Sequence, residues 1–154
     1  MEIRDLLSPD SVIANLRVTS KKQALQELAG AVSRLTDLDE RAVFDVLMER
    51  EKLGTTGVGN GIAIPHGKLP GLDKLYGMFA RMEKPIDFQA IDEQPVDLIF
   101  LLLAPESAGA DHLKALARVS RLLRDRSTCD KLRGTDNAEA LYAILSNSAD
   151  VQAA

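Results

Sequence analysis

The sequence predicts an α/β fold in a single compact domain, with a β-sheet flanked by helices on both faces. Apolar residues recur at helical spacing over residues 24–35 and again over residues 113–123, which is typical of amphipathic helices. Between these segments, residues 96–104 form a nearly continuous apolar run, as expected for a strand that is buried on both faces. Because helices both precede and follow the strands, we expect them to cover the sheet from two sides.

Capping residues and apolar stripes define the predicted helices. Ser20 and Asp39 are suitable N-caps for two successive helices, and Asp136 is suitable for the last helix. In the helix expected at residues 111–124, His112 lies at the edge of the predicted buried stripe. The members of that stripe are Leu113, Leu116, Ala117, Ser120 and Leu123. The other helices are expected at residues 20–35, 39–51 and 127–132, and after residue 136.

Glycine and proline separate the predicted strands. Residues 54–61 are too rich in glycine for any regular element. Pro65 ends a short strand at residues 62–64, and further strands are expected at residues 75–82 and 96–104. The end of the chain is small and polar, so a flexible tail is expected at residues 150–154.

Length and composition exclude several classes of protein. A chain of 154 residues suits one domain, and its net charge of −4, without a local concentration of Lys and Arg, argues against nucleic-acid binding. Cys129 is the only cysteine, so an internal disulfide is impossible. The first residues lack the basic run and apolar stretch typical of a signal peptide, and no apolar run is long enough for membrane insertion. We therefore expect a cytoplasmic protein.

His66 is the strongest candidate for chemistry. It follows a short strand and Pro65, and Gly67 after it allows close approach of the backbone. A neutral imidazole, with an ordinary pKa of about 6.5, is a competent nucleophile at neutral pH. The glycine-rich segment before it is able to form an anion-binding concavity of backbone amides. Together they indicate a phosphoryl acceptor, although a histidine after a proline is more often a hydrogen-bonded loop residue.

Other polar side chains are candidates for assisting His66. Arg50 offers a guanidinium that binds phosphate oxygens in bidentate fashion, unless it is a solvated helix residue. His112 meets His66 if its helix packs beside the strand at residues 62–64, and is otherwise a partly buried helix residue. The further candidates for phosphate binding are Thr55, Thr56, Gly57, Asn60 and Lys68.

Two familiar phosphate-binding loops are excluded by their spacing. A Walker loop has four residues between its glycines and Ser or Thr after its Lys, whereas here five residues separate Gly61 from Gly67 and Leu69 follows Lys68. A dinucleotide-binding glycine pattern leads into a helix, whereas this one leads into a predicted strand. The spacing therefore argues against nucleotide binding, and no cofactor or metal is expected.

One long motif surrounds His66. It reads Glu-Arg-Glu at residues 49–51 and Leu-Gly-Thr-Thr-Gly-Val-Gly-Asn-Gly-Ile-Ala-Ile-Pro-His-Gly-Lys-Leu at residues 53–69. The motif resembles the active-site signature of type-2 enzyme IIA (EIIA) domains of the bacterial phosphoenolpyruvate-dependent phosphotransferase system (PTS), a superfamily that includes the fructose and mannitol types. The resemblance is strongest to its nitrogen-regulatory branch, and continues through residues 85–98, 112–113 and 129–133.

The resemblance implies a fold, a reaction and partners. The fold is a mixed β-sheet flanked by helices, in a domain at residues 5–149. His66 would accept a phosphoryl group on Nε2 from the phosphohistidine of a small HPr-like carrier (NPr-type), supported by Arg50 and His112. In the nitrogen-regulatory branch, the phosphorylation state controls target proteins such as potassium-transport regulators or sensor kinases.

Three other functions stay open on the sequence. A sugar-specific EIIA would pass the phosphoryl group on to an enzyme IIB. A metalloenzyme would use His66, His112 and Asp111 as ligands, although their spacing matches no metal motif. An interaction module would leave His66 unreactive.

Overall fold

The chain alternates helices and short strands around a central sheet. The computed structural model describes residues 2–153, with side chains described as far as residue 147. Within residues 2–153, the α-helices are α1 (Ile3–Leu6), α2 (Lys21–Thr36), α3 (Glu40–Lys52), α4 (Ala110–Arg124), α5 (Arg126–Arg133) and α6 (Ala138–Ala153), with a 3-10 turn at Pro9–Ser11. The strands are β1 (Val12–Leu16), β2 (Gly57–Gly59), β3 (Ile62–Ala63), β4 (His66–Leu69), β5 (Tyr76–Ile86) and β6 (Val96–Pro105).

The strands form one mixed sheet in the order β1-β5-β6-β3-β2, and β4 also pairs with β6. The central strand β6 is antiparallel to β5 and parallel to both β3 and β4. Nearly all of β6 is buried, because each of its faces is covered by helices. This confirms both the strand predicted at residues 96–104 and the mixed sheet that the resemblance implies.

Each face of the sheet has its own hydrophobic core. Residues of α2 and α3 pack on one face, together with alternate residues of β6 such as Ile99 and Leu101. Residues of α1, α4, α5 and α6 pack on the other face, with Leu98, Phe100 and Leu102. The alternation along β6 follows from the two-residue period of a strand. The predicted α/β domain, with helices on both faces of its sheet, is confirmed.

Two of the three predicted N-caps are confirmed. The side chain of Ser20 accepts a hydrogen bond from the amide of Gln23, and that of Asp39 accepts one from the amide of Ala42. The predicted cap of the last helix at Asp136 is wrong, because the neighbouring Asn137 accepts the bond through Oδ1. Both residue types are good caps, so local sequence did not separate them.

Two strands near His66 differ from the prediction. The expectation that residues 54–61 form no regular element is wrong, because Gly57–Gly59 forms β2 and pairs with β3 in a hairpin. A Cβ on Gly57 would lie 2.8 Å from the Cβ of Ala90, so glycine allows a neighbouring segment to approach closely. Strand β4 was not predicted, because Pro65 and Gly67 interrupt its pattern.

The buried face of α4 is rotated relative to the predicted stripe. His112, Ala115 and Val119 are buried, whereas Leu113 is 70% exposed and Ala117 is also exposed. The predicted stripe is therefore wrong for Leu113 and Ala117, whereas Leu116 and Leu123 do pack in the core. The centre of the buried face is displaced by about one residue, which is a rotation of about 100°. The reason is that a polar residue, His112, belongs to the buried face, and its burial turns Leu113 outwards.

The end of the chain continues α6 as far as Ala153. Ala154 and the side chains after residue 147 lie outside the described residues, so the flexible tail at residues 150–154 stays a prediction, as do the domain limits 5–149. Within the described part of the chain, no helix combines the length and apolarity that crossing a membrane requires.

The close packing of β2 predicts a cost for Gly57→Ala. The added methyl group would meet Ala90 at 2.8 Å, and overpacking of this kind costs about 1–3 kcal/mol. Urea unfolding should show that loss of unfolding free energy. The matched control is Gly134→Ala, where the nearest heavy atom would lie 3.5 Å away and φ is −84°. Equal stability of the two variants would contradict the packing argument.

Candidate functional site

The backbone around His66 is one interrupted strand that runs along β6. Ile62 pairs with Leu98 and His66 pairs with Leu102, so β3 and β4 keep the same register on β6. The interruption falls at Ile64–Pro65. The carbonyl of Pro65 still accepts a hydrogen bond from the amide of Leu102, which holds the chain in line and places His66 at the first position of β4.

The interruption fixes the ring of His66. Its Nδ1 lies 2.9 Å from the carbonyl oxygen of Ile64, and a carbonyl only accepts hydrogen bonds. Nδ1 therefore carries the proton, and in the neutral ring Nε2 holds the lone pair. The side chain of His66 is half-buried. The arrangement defines one nucleophilic nitrogen, Nε2.

Arg50 contacts that same nitrogen. Its Nε donates to Nε2 of His66 at 3.2 Å, and its Nη1 donates to the carbonyl of Gly54 at 2.9 Å. The donation at Nε2 agrees with the tautomer that Ile64 imposes. Arg50 lies in the last turn of α3, so the end of this helix delivers a guanidinium to the imidazole.

A second imidazole, that of His112, lies next to the His66 ring. The two ring centroids are 5.7 Å apart and the planes meet at 83°. His112 is 7% exposed, and its Nε2 has no hydrogen-bond partner within the described residues. A buried polar atom without a partner is costly. Such an atom is suited to hydrogen-bond a group that arrives at His66.

Burial keeps both histidines neutral. It lowers the pKa of His66; the hydrogen bond to Ile64 raises that pKa, Arg50 lowers it and Glu51 raises it, in decreasing order of effect. Burial also lowers the pKa of His112, followed by the charges of His66 and Lys68. Because both values fall below the ordinary 6.5, the nucleophilic form of His66 predominates at neutral pH.

Two further features make the surroundings of His66 positive. Lys68 is two residues along β4, hence on the same face of the strand as His66, and it is exposed. The first turn of α4 carries His112, so the positive end of that helix dipole is close to the ring. An anion at Nε2 of His66 would be stabilised by Arg50, Lys68 and this helix end.

The other candidate phosphate-binding residues have structural contacts. The hydroxyl of Thr55 donates to the carbonyl of Phe88 and accepts from the amide of Gly57. The hydroxyl of Thr56 donates to the carboxylate of Glu51. Neither threonine hydroxyl, nor the Gly57 amide, is directed at His66 in this structure, and their binding of phosphate stays a prediction.

Asn60 is not brought together with His66. It occupies the turn between β2 and β3, where its amide donates to Asp92 and its carbonyl accepts from Arg133. The partners of Ile62 and His66 on β6 are four residues apart, about 13 Å along a strand, and Asn60 precedes Ile62. Its expected role in phosphate binding stays untested.

Sequence reasoning missed two sets of residues around the site. Glu51, beside Arg50, is 9% exposed and forms an ion pair with Lys21. No local pattern marks this burial, because Lys21 lies thirty residues earlier in the chain. Leu53 and Leu113 are 85% and 70% exposed, and in sequence they adjoin Gly54 and His112. A correct helical phase for α4 would have identified Leu113.

The arrangement is suited to nucleophilic chemistry at Nε2 and not to the proposed metal set. Among residues 2–153, no group of three or more His, Cys, Asp or Glu side chains is placed to hold a metal ion. The metalloenzyme alternative with His66, His112 and Asp111 therefore finds no support in the geometry. A fixed nitrogen nucleophile, with cations around it, is instead what acceptance of an anionic group requires.

Comparison with known proteins identifies the class. A family model described as "Phosphoenolpyruvate-dependent sugar phosphotransferase system, EIIA 2" matches residues 5–148. The chain belongs to this family, and it is therefore a phosphotransferase component.

Similarity within the family favours one branch. A nitrogen regulatory protein of Bradyrhizobium diazoefficiens is 62% identical over 145 residues, which are 94% of this chain and 95% of that protein. The crystal structure of nitrogen regulatory protein IIA-Ntr from Neisseria meningitidis superposes with a TM-score of 0.87 at 38% identity, covering 93% of this chain and 98% of that one. A fructose-specific EIIA component of Haloferax volcanii is 35% identical over 153 residues, covering 94% and 97%. These findings favour the regulatory phosphocarrier over the sugar-specific alternative.

The ring geometry predicts the titration of both histidines. In ring-15N NMR spectra, His66 and His112 should titrate below pH 6.5, with Nδ1 of His66 protonated in the neutral form. Because the Arg50 guanidinium lowers the pKa of His66, Arg50→Met should raise it. The control Arg41→Met removes an exposed arginine of the same helix, which is paired with Asp45, and should leave the pKa of His66 unchanged. A lower value in Arg50→Met would contradict the geometry.

Proposed function

We propose that this protein is a cytoplasmic regulatory phosphocarrier, which accepts a phosphoryl group on Nε2 of His66 from an HPr-like carrier of the NPr type. Its phosphorylation state then signals to target proteins, such as potassium-transport regulators or sensor kinases, in nitrogen metabolism and potassium homeostasis. The identity of its relatives supports the regulatory part of this proposal. The chemistry rests on the residues around His66.

The single observation that carries the proposal is the fixed tautomer of His66. The bond from Nδ1 to the carbonyl of Ile64 leaves the lone pair on Nε2, where Arg50 donates. A ring free to choose its tautomer would present the lone pair at Nε2 only part of the time. The structure therefore removes an orientation cost before the carrier arrives.

The transfer itself balances without a metal or a nucleotide. The lone pair of Nε2 attacks phosphorus as the P–N bond to the carrier's histidine breaks, and the electron pair of that bond returns to the carrier's imidazole. The proton on Nδ1 of His66 stays in its bond to Ile64. Arg50 releases Nε2 as phosphorus approaches, because the lone pair that attacks is the one that accepts its hydrogen bond, and it then donates to an oxygen of the phosphoryl group.

Positive groups around His66 would stabilise the negative charge of the transferred phosphoryl group. A phosphoryl group carries about −1.5 to −2 charges near neutral pH. Arg50, Lys68 and the N-terminal end of α4 supply positive potential on different sides of the ring. The unpartnered Nε2 of His112 is available to hydrogen-bond a phosphoryl oxygen, which would satisfy it.

Two exposed leucines supply an apolar contact for the carrier. Leu53 and Leu113 are exposed and adjoin Gly54 and His112 in sequence, and apolar side chains are common anchors at the centre of protein interfaces. Docking for one transfer is transient, and interfaces of that kind bury less than about 1,200 Å². Arrival of the phosphoryl charge at His66 would change which partners this surface binds.

Phosphoryl transfer from a phosphorylated carrier tests the proposal. Wild type should be labelled, His66→Ala should not, and His112→Ala should be labelled about 100-fold more slowly, since loss of one preorganised donor costs that much. Thermal unfolding of each variant checks its fold. Persistent labelling of His66→Ala would contradict the proposal, and rapid onward transfer to an enzyme IIB would favour the sugar-specific alternative.

The proposed contact of Leu53 and Leu113 with the carrier leads to a separate prediction for carrier recognition. Leu53→Ser and Leu113→Ser should each raise the KM for the phosphorylated carrier roughly fivefold, with little change in kcat, because each removes about 1 kcal/mol of contact. The control is Ile91→Ser, which also replaces an exposed apolar residue, 72% exposed, but next to β2. A KM effect at Ile91 equal to that at the leucines would contradict the assigned surface.

A further inference from the structure

Glu51 is a buried carboxylate that joins three parts of the chain. Its side chain is 4% exposed, and Oε2 lies 2.5 Å from Nζ of Lys21, the first residue of α2. Both carboxylate oxygens accept from the amide of Thr56 at 3.2 Å, and Oε1 also accepts from its hydroxyl. Nζ of Lys21 in turn lies 4.9 Å from the centre of the Phe88 ring. A buried charge persists only with such partners.

These contacts anchor the short loop between α3 and β2 at both of its ends. At the first end, the amides of Leu53 and Gly54 donate to carbonyls of the last turn of α3. At the second end, Thr56 is held by the carboxylate of Glu51. Gly54 has a φ of +151°, in a region that favours glycine. The direction of its carbonyl is therefore set by the anchored loop.

The carbonyl of Gly54 is the second contact of the Arg50 guanidinium. Nη1 donates to that carbonyl while Nε donates to His66. A guanidinium held at only one of these points would rotate away on its flexible side chain. Lys21 and Thr56 thus hold Glu51, which anchors the loop. The loop in turn positions Arg50, which donates to Nε2 of His66.

We infer that Glu51 is a positioning residue for phosphoryl transfer, which acts through the 53–56 loop to hold Arg50 against His66. The inference rests on the proposed function. Glu51 has no hydrogen bond to His66 among the described residues, and its negative charge is unsuited to contact a phosphoryl group. Its effect on the reaction is therefore exerted through Arg50.

This role predicts a direction of change that a purely electrostatic role would not. The charge of Glu51 raises the pKa of His66, and the charge of Arg50 lowers that pKa by more. Loss of the Glu51 charge alone would lower the pKa of His66. Loss of Glu51 together with displacement of Arg50 raises it, because the larger effect is removed as well.

The experiment is a double-mutant cycle of Glu51→Ala and Arg50→Met, with transfer rates and ring-15N NMR as readouts. Glu51→Ala should slow transfer by about 10- to 100-fold, as expected for a misplaced catalytic group, and should raise the pKa of His66. In the Arg50→Met background it should have no further effect on the rate, since the group it positions is absent, and it should lower the pKa of His66, since only the Glu51 charge is then removed. The control Glu49→Ala removes the same charge from an exposed position on the other side of Arg50 and should change neither readout.

Thr56→Val provides a second variant that keeps the buried ion pair. It removes only the hydroxyl donor to Glu51, and should shift both readouts in the same direction by a smaller amount. A lowered pKa of His66 in the single variant Glu51→Ala would overturn the inference. So would a loss of rate on adding Glu51→Ala to Arg50→Met that equals its loss in the wild-type background. The NMR readout needs no carrier, so failure of wild type to accept a phosphoryl group would refute the proposed function while the link from Glu51 to His66 is still tested.

Discussion

The hydrogen bond from Nδ1 of His66 to the carbonyl of Ile64 is the contact on which the rest of the site depends. It exists because β3 and β4 follow β6 in one register, with an interruption at Ile64–Pro65 that turns this carbonyl to the ring. A fixed ring determines which nitrogen holds the lone pair, and hence where Arg50 donates and from which side a carrier approaches. The pairing of the strands thus sets the orientation of the His66 ring through one carbonyl oxygen, that of Ile64.

Burial and the charge of Arg50 both lower the pKa of the His66 ring, which suits a nucleophile. Burial lowers the pKa of both histidines, so neither competes with Arg50 and Lys68 as a cation at neutral pH. Glu51 brings the opposite charge close to Arg50, but Lys21 and Thr56 keep it inside the protein. The positive groups, Arg50 and Lys68, are therefore available to an incoming phosphoryl group, while Glu51 holds the 53–56 loop from inside the protein.

The sequence predicts those features that short segments determine, and misses those that depend on distant parts of the chain. Ser20 and Asp39 cap their helices because capping is local, and the apolar run of β6 is unambiguous. The motif around His66 identified the family, and it singles out the histidine that is proposed as the nucleophile. The strand β2 was missed because Gly57 allows the close approach of Ala90, which lies far away in sequence. The phase of α4 was missed because the buried His112 reads as polar, and the ion pair of Glu51 with Lys21 leaves no local pattern.

The position of the phosphorus atom tests the central claim most directly. After phosphorylation of ring-15N-labelled protein by the carrier, 31P–15N correlation spectra report which nitrogen is bonded to phosphorus. We expect one phosphorus atom on Nε2 of His66, with Nδ1 of the same ring still protonated. Phosphorus on Nδ1 of His66, on His112, or on neither ring would contradict the account.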